Sequence, residues 1–385
     1  MTDVLFNPFD PAHFLAPHER LEHMRQTCPV AEFAPGFVFI ARDADVREGM
    51  KNVSAYSNAG NFEIEGSADP PVVVQLDPPR HTQMRLLLQN GLNPRVFKQA
   101  EPFIARVAAE LVRQMASQRQ TDLMQTLAAP LPMIVLSHVF GVPEEQYAQF
   151  CRWGAEISAN TPFDPRRLDC WQPFQDSIRQ MIAERRDVAQ APEDFISRLM
   201  QAEVEGARLT DDEIRVAVSQ LMLAGIDPVT SLIGSLVYQL LRRPGLWQKV
   251  FETRALVPQA IEETLRYDAP LMWLMRTCTH ANNMQGVTIT PGARVLLGLD
   301  SANRDETVWA NPGDFSLERT NVHRHLSFGY GIHFCLGAEL ARLEARIALE
   351  MLLDHFPTLH LAADFHYEQG GGAMTRRPKR LDVCW

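Results

Sequence analysis

The chain has 385 residues, 46% of them hydrophobic and 22% charged, with a formal net charge of −10. That composition is globular and the length supports a large core. The acidic balance argues against nucleic acid or anionic lipid as a general partner, and with no basic leader and no run of about 18 apolar residues, no membrane anchor is expected.

In chain order, "FVFIAR" at 37–42 reads as a strand and the Gly- and Pro-punctuated stretch 59–75 as an irregular loop. "LDPPRHTQMR" follows, with His81 and Arg85 at i, i+4 on the start of a helix, where both side chains point the same way. Taken alone, this is a solvated basic face. Residues 97–117 place apolar side chains at helical spacing.

Residues 211–242 predict one long helix, with Asp211 and Asp212 at its start and Arg242 and Arg243 at its end, matching the dipole. Pro244-Gly245 stops it. Inside it, "LMLAGIDPVTS" puts Pro228 directly after Asp227. Proline has no N–H, so the Ala224 carbonyl loses its helical partner and a local opening is predicted. Thr230 lies about 200° further round the helix, and its hydroxyl is predicted to bond a backbone carbonyl in the preceding turn.

Residues 256–268 read as a helix carrying "EETLR", with Glu263 and Arg266 at i, i+3. Alone, that spacing is an ordinary surface ion pair. Residues 286–299 read as two short strands around Pro291-Gly292, and 336–354 as a final helix. Neither a repeat nor a long linker interrupts the chain, so 1–385 reads as a single, mostly α domain with a small β portion. The six cysteines form no CxxC pair and read as thiols of a reducing cytoplasm.

The segment with most chemical content is "FGYGIHFCLG" at 328–337. Gly329, Gly331 and Gly337 bracket Cys335, and glycines admit unusual dihedrals and close approach of a flat ligand. A helix starts just after Cys335, and its free N–H groups would lower the thiol pKa and favour a thiolate able to ligate a soft metal. Two other readings are a free cysteine in a glycine loop and a zinc site from His323, His325, His333 and Cys335. The H-x-H and H-x-C spacings are tight for zinc.

This segment resembles the haem-ligand loop of the cytochrome P-450 superfamily, Phe-Gly-x-Gly-x-His/Arg-x-Cys-x-Gly, with Phe328, Gly329, Gly331, His333, Cys335 and Gly337 at the fixed positions. The resemblance covers nearly the whole chain, and "ANRDETVWANPGDF" at 302–315 resembles the stretch that precedes the loop. It implies a mainly α, triangular-prism helical domain with a smaller β-rich region, and haem b with Cys335 as its axial ligand. It further implies that Glu263 and Arg266 are a buried structural pair with Arg319 as third member. His81, Arg85, Arg276 and His333 are then partners of the haem propionates.

By the same resemblance, the helix through Ala224, Gly225, Asp227 and Pro228 crosses the oxygen-binding face, with proline where the family usually has threonine. Asp227 with ordered water, or a polar group of the substrate, then supplies protons in place of that hydroxyl. The implied pocket takes in the 59–75 loop, residues around 150–165, Phe62, Ile64, Val73, Val74, Leu223, Trp273, Leu274 and Met374. These side chains suit a hydrophobic small molecule. The activity implied is insertion of oxygen from O2, with electrons from a ferredoxin or flavodoxin and its reductase, docking near a basic patch of Arg80, Arg324 and Arg342. No nucleic-acid or membrane partner is implied. The missing threonine leaves open use of peroxide, an oxidase reaction other than hydroxylation, or a non-enzymatic haem-thiolate sensor or carrier.

Overall fold

The computed structural model describes residues 5–61, 68–160, 168–187 and 192–385. The helical part is organised around the long helix Asp211–Leu241. Its start is fixed by a capping box: Glu213 N–H donates to Thr210 Oγ1 (3.2 Å), and Thr210 N–H donates to Glu213 Oε2 (2.9 Å). The helices Pro130–Phe140, Trp171–Arg186, Val257–Tyr267 and Ala338–His355 pack around it. Because neighbours surround it, most of its length is buried and apolar on every side.

For the same reason the long helix passes a length-and-hydropathy test for a membrane span, which the sequence reading did not expect. Its burial against other helices accounts for that composition.

The predicted helices are present with small shifts. The helix read at 97–117 starts earlier, at Pro94, because Asn93 caps it by accepting from the N–H groups of Arg95 and Val96. The helices read at 256–268 and 336–354 run Val257–Tyr267 and Ala338–His355. Of the 59–75 loop, Val73–Gln75 forms a single 3-10 turn.

The β region is a five-stranded sheet in the order Val30–Ala34, Phe37–Ile40, Arg294–Gly298, Trp273–Cys278, Tyr56–Ser57. The second and third strands are parallel and the other pairs antiparallel. A separate hairpin near the C-terminus pairs Gln369 with Pro378 and Gly370 with Arg377, and it packs on the long helix. Alternation along Trp273–Cys278 sends successive side chains to opposite faces. Trp273 and Met275 join an aromatic cluster with Phe6 and Phe39, while Leu274 packs against the other β-side core.

Candidate active site

Residues 328–337 form a tight loop ahead of the helix Ala338–His355. Gly329 and Gly331 both hold φ of +75°, a left-handed conformation that a side chain disfavours. Cys335 N–H closes the loop onto Phe328 O (2.9 Å). A Cβ at Gly337 would meet no protein atom within 4 Å, so open space lies beside the thiol. Cys335 is exposed. Burial pushes its thiol up, against the opposing pull of the Gly337 N–H, Arg85 and Arg342. Desolvation thus opposes the lowering expected from the helix start.

Four cationic or donor side chains gather beside this loop. Arg85 Nη2 donates to Phe334 O at 2.6 Å. The His81 and His333 rings lie 4.1 Å apart, centroid to centroid. Neither ring nitrogen of His81 has a partner, nor does His333 Nε2 or Arg276 Nε, although all four atoms are buried. Burial, then His81, Arg276 and Arg85, push His333 down to about 3. Burial holds Arg276 at about 10, below its ordinary value. Such unpaired buried donors are stabilised by anionic oxygens. The nearby carboxylate, Asp77, is already engaged by Ser57 Oγ and by the N–H of Asn58 (3.0 Å).

The long helix presents one open stripe in its otherwise buried middle. Ala224 is exposed, and Leu221, Gly225 and Pro228 are half-buried at the i, i+3, i+4, i+7 positions of one face. The helix does not break at Pro228: helical backbone continues from Asp211 to Leu241. Residue 228 offers the Ala224 carbonyl no N–H donor. Thr230 is buried and its hydroxyl has no partner, contrary to the expected bond to the preceding turn. Gly225 has a packing reason of its own, since a Cβ there would lie 2.8 Å from Leu136 Cδ1.

Asp227 is held by a residue that sequence spacing gave no means of finding: Arg377 Nη1 donates to its Oδ1 at 3.0 Å.

Beneath the loop, Glu263 and Arg266 are fully buried and joined at 2.8 Å, with Arg319 Nε 3.0 Å from Glu263 Oε1. Glu262 is a second hub. Burial alone would raise its carboxyl, but hydrogen bonds with His325 and Arg342 outweigh that and hold it well below the usual range.

Several expectations are corrected. Trp273 is buried in the cluster with Phe6 and Phe39, its Nε1 donating to Ala373 O (2.8 Å), while Leu274 is the neighbour that approaches Gly329. Met374 packs with Trp273 rather than with the loop. The pocket calls Phe62 and Ile64, and the 161–165 stretch, lie outside the described residues. Val73 and Leu223 border the main helical core, which leaves their pocket reading as an expectation. The zinc alternative fails because His323 and His325 turn to Glu262 and, among the described residues, no three His, Cys, Asp or Glu side chains cluster to hold a metal ion. Of the three arginines in the expected docking patch, Arg80 is paired with Glu213 and Arg342 with Glu262, which leaves Arg324. A surface depression of about 550 Å³, lined by His138, Tyr147, Arg185 and Asp194 among others, lies away from all of these groups.

The model of the cytochrome P450 family matches residues 37–385. The chain belongs to the cytochrome P450 family. As such it is an oxidoreductase of the monooxygenase type, with the mainly α fold described above. Erythromycin C-12 hydroxylase of Saccharopolyspora erythraea is 34% identical over 90% of this chain and 89% of its own length. Steroid C26-monooxygenase of Mycobacterium tuberculosis is 32% identical over 89% of this chain and 92% of its own length. A Bacillus megaterium cytochrome P450 in complex with testosterone superimposes with a TM-score of 0.87 at 30% identity, over 98% of this chain and 99% of that one.

The family's haem-iron cofactor fits the residues present. Cys335 is a soft donor, open space lies beside Gly337, and the orphaned donors of His81, His333 and Arg276 suit the two propionates.

Proposed function

We propose that this cytochrome P450 uses haem b, ligated by Cys335, to insert one atom of O2 into a bulky apolar molecule of steroid or macrolide size. When bound, thiolate-ligated haem iron supplies O–O bond cleavage. The chain's own residues do the rest. Phe328 and Gly337 shape the ligand loop, and Arg85, Arg276, His81 and His333 anchor the propionates by charge-assisted hydrogen bonds. Ala224, Gly225 and Pro228 form the distal wall, and Asp227 is the proton-handling group beside it. Leu274, which approaches Gly329, belongs to the apolar pocket. Glu263, Arg266 and Arg319 hold the scaffold and touch no reactant. Relatives that act on a steroid and on erythromycin support the size class. Electrons come from a ferredoxin or flavodoxin with its reductase, and six free thiols support a cytoplasmic setting.

The observation that carries this reading is the exposed thiol of Cys335 in a glycine-bounded loop, flanked by buried donors without partners. The test is the spectrum of the purified, reduced, carbon monoxide-treated protein. Wild type gives the thiolate-ligated band and one iron per chain. Cys335→Ser loses the band and most of the haem. Retention of an unchanged spectrum by the serine variant removes the basis of the proposal.

A second reading, use of hydrogen peroxide, is favoured by Pro228, which has no hydroxyl to offer. Pro228→Thr is expected to raise severalfold the share of NAD(P)H electrons that reach product, without loss of helix. Unchanged coupling in that variant, with product formed from peroxide alone, favours the peroxide reading.

A further inference from the structure

After its first turn, the long helix carries one carboxylate, Asp227, among apolar residues. Placing a charge there is costly unless it is paired. The partner, Arg377, sits 150 residues later on the C-terminal hairpin, opposite Gly370. Both side chains are mostly covered, 19% exposed for Arg377 and 26% for Asp227. Among the described residues this is the one ion pair between hairpin and long helix.

The rest of the hairpin is tied to other elements. Arg376 N–H donates to Pro270 O (3.1 Å), Met272 N–H donates to Met374 O (2.9 Å), and Leu271 bridges Thr375. The Arg376 guanidinium stands 3.6 Å from Asp300 and 3.7 Å from Asp268, too far for direct hydrogen bonds. The hairpin is thus anchored by backbone to the segment before Trp273–Cys278, the strand that carries Leu274 and Arg276. It meets the distal stripe by charge through Arg377 alone.

We propose that Arg377 is a positioning residue: it aims the Asp227 carboxylate, so that the acid beside Pro228 follows the position of the C-terminal hairpin. The proposal rests on the haem-thiolate reading only for its catalytic consequence. With no hydroxyl at position 228, the placement of Asp227 decides how protons reach that face. A substrate that shifts the hairpin thereby shifts the acid.

The test compares Arg377→Gln, Arg377→Lys, Asp227→Asn and the double variant R377Q/D227N as purified holoproteins. Deuterium uptake of residues 369–378 is expected to rise about fivefold in Arg377→Gln and equally in Asp227→Asn, the fold-change that goes with roughly 1 kcal/mol for a lost pair. Arg377→Lys restores it at least in part. Coupling of electrons to product, and its solvent isotope effect, change in Arg377→Gln but not further in the double variant. Unchanged uptake, or effects of the two single variants that simply add, overturns the proposal. The reduced carbon monoxide spectrum of the same samples separates the two claims. A wild type without the thiolate band ends the haem-thiolate reading while the uptake comparison still decides the tie.

Discussion

Glu263→Ala is expected to cost about 3–5 kcal/mol of stability and most of the bound haem. Glu263 Oε1 accepts from Arg266 Nη2 (2.8 Å), Arg319 Nε (3.0 Å) and Ser316 N–H (2.8 Å), and Oε2 accepts from Arg266 Nε (2.8 Å). Arg266 also donates to the carbonyls of Asn303, Pro312 and Asp314. Alanine leaves the buried Arg266 charge and the largely buried Arg319 charge without their carboxylate, a far larger penalty than loss of a surface pair. The damage travels to the ligand loop along a hydrogen-bonded chain. Asn303, whose carbonyl binds Arg266, accepts Leu326 N–H at 2.6 Å and donates to Ser327 Oγ at 2.9 Å, and the loop begins at the next residue. Urea unfolding followed by fluorescence, with haem content by absorbance, checks both effects. A Glu263→Ala protein within 1 kcal/mol of wild type shows that the pair is solvated instead. Glu263→Gln separates charge from shape: it keeps most hydrogen bonds but not the carboxylate, and falls between the two.

The fold was legible where local chemistry and long-range packing agree. Asp211 and Asp212 mark the start of the long helix, and the glycines at 329 and 331 encode the loop's left-handed turns. Spacing placed His81 and Arg85 on one side of a helix, and both border the loop. What stayed hidden depends on contacts between distant segments. Arg377 stands in a basic run at the far end of the chain, and nothing in that run names Asp227 as its partner. The different neighbours of Trp273 and Leu274 were hidden too, because strand alternation fixes two opposite faces without saying which one meets the loop. Pro228 is a local signal whose outcome depends on packing: the backbone stays helical through it, among helices that pack along the same long helix. The arginines of the expected docking patch illustrate the same limit: a sequence displays charges, and only the fold shows that Glu213 and Glu262 have already claimed two of them.

Glu344→Gln is expected to stabilise the protein by roughly 4–5 kcal/mol above pH 8 and to change it little near pH 4.5. Glu344 lies on the helix Ala338–His355, fully buried, and its Oε2 has no hydrogen-bond partner. Burial pushes its carboxyl from 4.5 up to about 8. The sign follows from proton counting. Between those two values the folded chain keeps the proton and the unfolded chain has released it, so rising pH favours unfolding. The group's cost is absent below the ordinary value, grows through the window, and is complete above about 8. Glutamine keeps the size and removes the titration, so the variant's stability curve loses that downward slope. The measurement is the urea midpoint of both proteins at pH 5, 7 and 9. Parallel curves show that an internal partner or water already satisfies the carboxylate, and so refute the assignment. Divergence that is small at pH 5, already large at pH 7 and largest at pH 9 identifies the helix behind Cys335 as carrying a neutral, proton-bearing acid under ordinary conditions. That state suits its surroundings: the same helix buries Ala341, Ala345 and Ala348, which offer nothing to neutralise a charge.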